Sequence, residues 1–384
     1  MPFSELTTEL TERTAAGLLR RRRLLESPQG THVRVDGREV LSFCSNDYLG
    51  LANHPALISA AKEAADSAGV GGGASHLITG HHHLHQKLEE ALAKFVGLPF
   101  ALLFSTGYMA NIGVVTALVG RSDTVFADKL NHASLNDAAV LSRAELKRYP
   151  HNDMAALEQL LKTAKSGRKL VLADAVFSMD GDVAPVKELL ALCETYDAWL
   201  MLDDAHGFGV LGNGRGILAE HGVCSPRIIY MATLGKAAGV AGAFVAGETM
   251  LIENLIQNAR SYVYTTAAPP MLAAALLASL NVIEEEDWRR EQLQRLIRTL
   301  RDGLQSCRWQ LVASQTPIQP VIIGDNKEAI DVSEHLLERG LLVPAIRPPT
   351  VPKGTARLRI SLSASHTTDE VQQLVDAIRK LADR

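Results

Sequence analysis

The sequence predicts a three-layer α/β domain built on a mainly parallel sheet, followed by a smaller α+β domain. Between residues 100 and 247, six short apolar runs alternate with helical stretches such as 107–119, 152–164 and 185–196. The runs are FALLF at 100–104, TVFA at 124–127, LVLA at 170–173, WLML at 199–202, IIYMA at 228–232 and AFVAG at 243–247. Runs apolar throughout suit strands covered on both faces, where a half-exposed strand would alternate. After residue 285 the elements become fewer, over a length that suffices for a small domain. The expected divisions are an N-terminal helix and hairpin over 1–45, a large domain over 46–285 and a small one over 286–384.

In chain order, residues 4–27 read as a helix with Ser4 as N-cap, leucines at 6, 10, 18 and 19, and a stop at Ser27-Pro28-Gln29-Gly30. It carries Arg20 to Arg23, a run that suits a solvated face with room for one arginine turned inward to an anion. THVRVDGREVLSF reads as a hairpin turning at Asp36-Gly37, leading into SNDYLGL at 45–51. Helical patterns at 55–68 and 82–96 flank GVGGGASHLITG, 69–80. Such a glycine cluster either lets backbone approach a ligand or neighbouring subunit, or is a mobile loop. His81 and His85 stand at i,i+4, yet no His-Glu-x-x-His pattern or nearby cysteine accompanies them, so no metal is expected. The C-terminal part reads as a charged helix 286–306, VIIG, a helix 327–339 closed by Gly340, LLVPAI, TARLRISLSA and a final helix 368–382.

Composition narrows the function classes. A chain of 384 residues, 47% hydrophobic and 21% charged, is ordinary for a globular protein. Net charge of −4 gives no footprint for nucleic acid. The N-terminus lacks an apolar signal region, and the longest apolar run, 271–280, is about half a membrane span, so a cytoplasmic protein with no membrane partner is expected. Cys44, Cys193, Cys224 and Cys307 are far apart with no Cys-x-x-Cys spacing, which reads as free thiols rather than a zinc site or redox pair.

The chemistry collects at strand ends. FSTGYMAN turns through Thr106-Gly107-Tyr108 straight into a helix, whose free N–H groups and dipole suit a phosphate. Asn131, His132 and Ser134 follow one strand, and Ser178 precedes an Asp180-Gly181 turn after another. WLMLDDAHGFG ends a very apolar strand in Asp203, Asp204 and His206, and buried carboxylates there need a cation or hydrogen-bond donors. A pyridinium nitrogen against Asp203 meets that need, and Lys236, after the next strand in IIYMATLGKAAG, is placed to hold the same ring as a Schiff base. The G-x-G-x-x-G match at 207–212 is set aside as a dinucleotide site, because Asn213-Gly214-Arg215-Gly216 follows where a helix must open.

DDAHGFG with TLGK, SNDYLGL, VFSMDGD and IRPPTVPKGTARLRIS together resemble the α-oxoamine synthase family of fold-type-I pyridoxal-phosphate enzymes, over nearly the whole chain. The resemblance implies an aspartate aminotransferase-like large domain, pyridoxal 5'-phosphate as cofactor, and a homodimer with active sites at the subunit interface. It implies that Lys236 binds the cofactor and moves the substrate's α-proton, that Asp203 pairs with the ring nitrogen, that His206 bonds the phenolic oxygen, that His132 stacks on the ring and that Ser178 lies nearby. Gly107, Tyr108, Thr233 and, across the dimer interface, Thr266 would hold the phosphate. Arg359 would bind the substrate carboxylate, Asn46 and Thr350 would touch substrate, and Arg20, with Arg21 as the adjacent alternative, would meet a distal carboxylate on the acyl chain. Period-2 alternation puts Arg357 on the same strand face as Arg359, where a surface ion pair is expected of it. The implied reaction is decarboxylative condensation of L-alanine with a pimeloyl thioester, carried on coenzyme A or a carrier protein. A family member using glycine and acetyl-CoA, or a non-catalytic protein that keeps the fold, are the alternatives. Thr106, Ala238 and Ala74 depart from the family's usual residues without removing a catalytic group.

Overall fold

The computed structural model describes residues 3–15, 18–20, 22–164 and 167–383. Its centre is a seven-stranded sheet ordered Phe100–Phe104, Ala243–Gly247, Ile228–Thr233, Trp199–Asp203, Lys169–Asp174, Thr124–Asp128 and Glu145–Tyr149. Only Ala243–Gly247 runs against the others. Neighbouring side chains go to opposite faces: Val171, Ala173, Leu200 and Leu202 join one apolar cluster, while Leu170, Leu172 and Met201 join another. Both faces are therefore dry, which is why the strands read as continuous apolar runs. Glu145–Tyr149 has the sequence ELKRY and lies at the sheet edge, so it carries no apolar run to announce it.

Two smaller sheets complete the molecule. The hairpin His32–Val35 and Arg38–Ser42 turns at Asp36-Gly37, both at positive φ, and gains a parallel third strand, Leu341–Leu342. A four-stranded antiparallel sheet orders Gln310–Leu311, Ile318–Gly324, Ala356–Ser361 and Ala345–Ile346. The helices Pro55–Ala68 and His83–Val96 flank the glycine-rich stretch, which holds one π-helical turn at His76–Gly80. Among the described residues, no helix is long and apolar enough to cross a membrane.

The first helix corrects an expectation. It spans Ser4–Ala15, with no buried residue, and does not run on to residue 27. The backbone of 24–26 is instead held by the hairpin: Leu24 N–H donates to Asp36 Oδ1 at 2.8 Å, Asp36 N–H to the Leu24 carbonyl at 2.9 Å and Glu26 N–H to the Arg34 carbonyl at 2.8 Å. Those groups cannot serve a helix at the same time. Arg21, one of the arginines singled out, lies outside the described residues.

Candidate active site

The parallel strands Thr124–Asp128, Lys169–Asp174, Trp199–Asp203 and Ile228–Thr233 finish at one edge of the sheet. Beyond it lies a cavity of about 200 Å³, lined by Gly107, Tyr108, His132, Ser178, Asp203, His206, Thr233 and Lys236, the residues expected there from the sequence. The carboxyl edge of an α/β sheet is where such folds bind ligands.

Alternation separates the two carboxylates at the end of Trp199–Asp203. Asp203 faces the cavity, accepting from Asn111 Nδ2 at 2.8 Å and from the Ala205 N–H at 3.0 Å. Asp204 points the other way, accepting from Tyr230 Oη at 2.8 Å and the Ile217 N–H at 2.7 Å, and burial pushes its carboxyl up to about 7. No helix opens within 207–212; the next, Ile217–His221, starts after Gly216.

Lys236 is half-buried, with its Nζ 3.1 Å from His206 Nε2. Burial lowers its pKa, opposed by the nearby carboxylates of Asp203 and Asp174. His206 is held well below its ordinary value by burial and by the charges of Lys236 and Arg359, so its imidazole is neutral. The turn carrying Lys236 packs tightly. Gly239 has φ +73°, and a Cβ there would lie 2.6 Å from the Leu51 carbonyl carbon. Ala238 is buried, and its carbonyl accepts from Ser279 Oγ of helix Pro270–Glu285 at 2.8 Å.

Gly107 is the first residue of helix Gly107–Leu118, capped by Thr106 Oγ1, which accepts from the Met109 N–H at 3.1 Å. A Cβ on Gly107 would come within 2.5 Å of Thr233 Cγ2, so glycine is required for the helix start to meet the Ile228–Thr233 strand. His132 caps the next helix, its N–H donating to Asp174 Oδ2 at 3.0 Å.

Arg359 is buried, donating from Nε to the Ser178 carbonyl at 2.6 Å and from Nη1 to Ser361 Oγ at 2.9 Å. Arg357 is also buried, not on the surface, and pairs with Asp180 at 2.6 Å. Both arginines therefore meet the turn that carries Ser178. That turn is fixed from its far side by His151, whose Nε2 lies 2.7 Å from Asp182 Oδ2 and whose Nδ1 lies 3.1 Å from Asp128 Oδ1. Burial pulls the imidazole down, but the two carboxylates prevail and raise it to about 10. A folded-state value above the unfolded one stabilises the fold fully below the unfolded value, near 6.5, and that contribution is lost as pH rises through about 10. Unfolding curves of wild type and His151→Gln are expected to differ most at or below neutral pH and to converge under strongly alkaline conditions.

A second cavity, of about 500 Å³, opens on the other side of Lys236. Its lining includes Asn46, Cys44, Ser42, Val33, Leu342 and Arg23. Arg20 is exposed and lines neither cavity, whereas Arg23 lines the larger one. Thr266 and Thr350 are exposed and line neither cavity of this single chain. The sequence did not single out Asn111, one helical turn after Gly107, nor Tyr48 and Asp174; Asn111 and Tyr48 lie inside the motifs FSTGYMAN and SNDYLGL, while Arg23 belongs to the arginine run from which one side chain was expected to turn inward.

His76 joins His81 and His85, with one ring nitrogen from each within 4.8 Å of the others. Both nitrogens of His85 already have backbone partners, the His82 N–H at 3.1 Å and the Ala268 carbonyl at 2.9 Å. Its role is to tie the start of helix His83–Val96 to the 264–269 loop.

The aminotransferase class I and II family model matches residues 38–378. An 8-amino-7-oxononanoate synthase of Methylobacillus flagellatus is 63% identical over 98% of this chain and 96% of its own length. One of Nitrosomonas europaea is 62% identical over 99% of both. The chain belongs to the 8-amino-7-oxononanoate synthase family. Among solved structures, an 8-amino-7-oxononanoate synthase from Francisella tularensis matches with TM-score 0.78 and 33% identity over 89% of this chain and 97% of that one. Sphingomonas wittichii serine palmitoyltransferase matches with TM-score 0.94 and 32% identity over 100% of this chain and 98% of that one. A high-resolution structure of SPT with PLP internal aldimine matches with TM-score 0.93 and 31% identity, over 99% and 97%.

Proposed function

We propose that this chain condenses L-alanine with a pimeloyl thioester, releasing carbon dioxide, free thiol and 8-amino-7-oxononanoate, with pyridoxal 5'-phosphate bound in the cavity below Lys236. The observation that carries the reading is that Lys236 lines both cavities, so one amine faces the chamber at the sheet edge, with Asp203, His132 and His206, and also a larger cavity that includes Asn46, Val33, Leu342 and Arg23.

The residues of the smaller cavity fit the cofactor. Asp203 is buried, yet both of its hydrogen-bond donors are neutral, which leaves its charge suited to a protonated ring nitrogen. The start of helix Gly107–Leu118 offers N–H groups at Gly107 and Tyr108 to a phosphate. Lys236 would hold the cofactor covalently, His206 would donate to its phenolic oxygen, and His132 and Ser178 would flank it. In a homodimer, Thr266 of the neighbouring copy would add a phosphate contact. Bound there, pyridoxal phosphate supplies an electron-withdrawing ring that stabilises negative charge on the carbon next to the substrate nitrogen.

The chain's own groups do the rest. Arg359 would hold the amino acid carboxylate with the donors it has left after bonding Ser178 and Ser361. Arg357, already paired with Asp180, would act by keeping that turn in place. Lys236, displaced by the incoming amine, would take the α-proton on Nζ and later return it; its lowered pKa favours the neutral amine that this requires. Asn46 and Thr350 would contact substrate, with Thr350 reached only if its exposed loop moves inward. The larger cavity would take the acyl chain along Val33 and Leu342, with Arg23 rather than Arg20 facing its distal carboxylate.

Thiol release over a grid of amino acids and acyl thioesters tests the reading: L-alanine with pimeloyl thioester should give the highest kcat/KM, and a preference for glycine with acetyl-CoA would contradict it. Arg23→Ala is expected to raise KM for the pimeloyl thioester about tenfold with little change in kcat, as loss of one charge-assisted hydrogen bond implies. A thioester of the same length without the distal carboxylate should show no such change.

A further inference from the structure

We infer that Tyr48 is a positioning residue that fixes the tautomer of His206, so that Nε2 carries the imidazole proton and presents it to the cavity. This rests on the reading of that cavity as the cofactor site. Tyr48 sits in SNDYLGL, fully buried, with its Oη 2.6 Å from His206 Nδ1 and 3.3 Å from Asn46 Oδ1. The Arg359 guanidinium lies close enough for its charge to act on the phenol. The phenol has one proton to give.

That proton has two acceptors within reach, and His206 Nδ1 is the nearer. Burial raises the phenol to about 12, so Tyr48 keeps its proton to donate. His206 is neutral, with one N–H to place. With Nδ1 accepting from Tyr48, the N–H falls on Nε2, which faces Lys236 Nζ at 3.1 Å and can donate to it once that amine is neutral, the form its lowered pKa favours. The opposite assignment, Nδ1–H donating to Tyr48, would send the phenolic proton to the longer Asn46 contact. It would also leave Nε2 able only to accept, and such a nitrogen cannot donate to a phenolic oxygen of a ligand. The same phenol joins Asn46, which lines the larger cavity, to His206.

Histidine-labelled nitrogen-15 NMR on the protein loaded with pyridoxal phosphate reads the tautomer directly, with the His206 signals assigned by their loss in His206→Asn. The wild type is expected to show the Nε2–H form. Tyr48→Phe, which removes only the hydroxyl, is expected to show the Nδ1–H form or a mixture, with kcat lowered about tenfold, the effect of one neutral hydrogen bond, and KM for alanine within about twofold. An Nδ1–H form in the wild type, or an unchanged Nε2–H form in Tyr48→Phe, overturns the inference. Should Tyr48→Phe fail to fold, the wild-type spectrum decides alone. Wild-type protein that gains no visible absorption band with pyridoxal phosphate would sink the reading of the cavity instead, and the tautomer would still be read in the cofactor-free protein.

Discussion

Lys236→Ala is expected to lower turnover by about four orders of magnitude or more, because it removes the covalent anchor of the cofactor and the proton-moving base together. The substitution also relieves a cost. The amine is half-buried beside His206, and its pKa is depressed chiefly by burial. Removing it leaves His206 Nε2 without its 3.1 Å partner and takes a positive charge from beside Asp203 and Asp174, but Asp203 keeps Asn111 and the Ala205 N–H, and Asp174 keeps the His132 N–H. Thermal unfolding should therefore stay close to wild type while activity disappears, which separates a chemical role from a structural one. A variant that kept more than about a hundredth of wild-type turnover would place the base elsewhere.

Asp203→Asn should cost about a hundred- to a thousand-fold in kcat, the range for losing one preorganised electrostatic partner of the reacting system. The amide is nearly the same shape but has one acceptor oxygen, so it keeps only one of the bonds from Asn111 and the Ala205 N–H, and the loss combines the missing charge with one hydrogen bond. Asp204→Asn provides the contrast. Asp204 touches Tyr230 and the Ile217 N–H and does not line the cavity, so its replacement should act on stability, through the cap of helix Ile217–His221, with kcat nearly unchanged. Steady-state kinetics with thermal melts on both variants tells the two adjacent carboxylates apart.

Much of this was legible in the sequence because the sheet is buried on both faces. The apolar runs at 100–104 and 243–247 match their strands end to end, and those at 124, 170, 199 and 228 lie within one residue of theirs. Polar residues just past those runs gather at one edge, so Asp203, His206 and Lys236 could be assembled without coordinates. The edge strand Glu145–Tyr149 was not legible, since with one flank open it needs no apolar run. Nor was the end of the first helix, which is set by hydrogen bonds from residues 24–26 to a hairpin that local pattern cannot foresee. The Tyr48–His206 contact joins residues far apart in the chain, and only the fold brings them to 2.6 Å. Arg23 lines the larger cavity with Val33 and Leu342 while Arg20 does not, a difference that a run of four arginines does not display.

The central claim is that Lys236 is the residue that carries the cofactor, and borohydride reduction of the yellow protein followed by peptide mapping tests it most directly. The expected result is one phosphopyridoxyl label per chain, on the peptide containing Lys236, with no label in Lys236→Ala. Stoichiometric labelling of another lysine, or a protein that takes up no pyridoxal phosphate at all, would contradict the account.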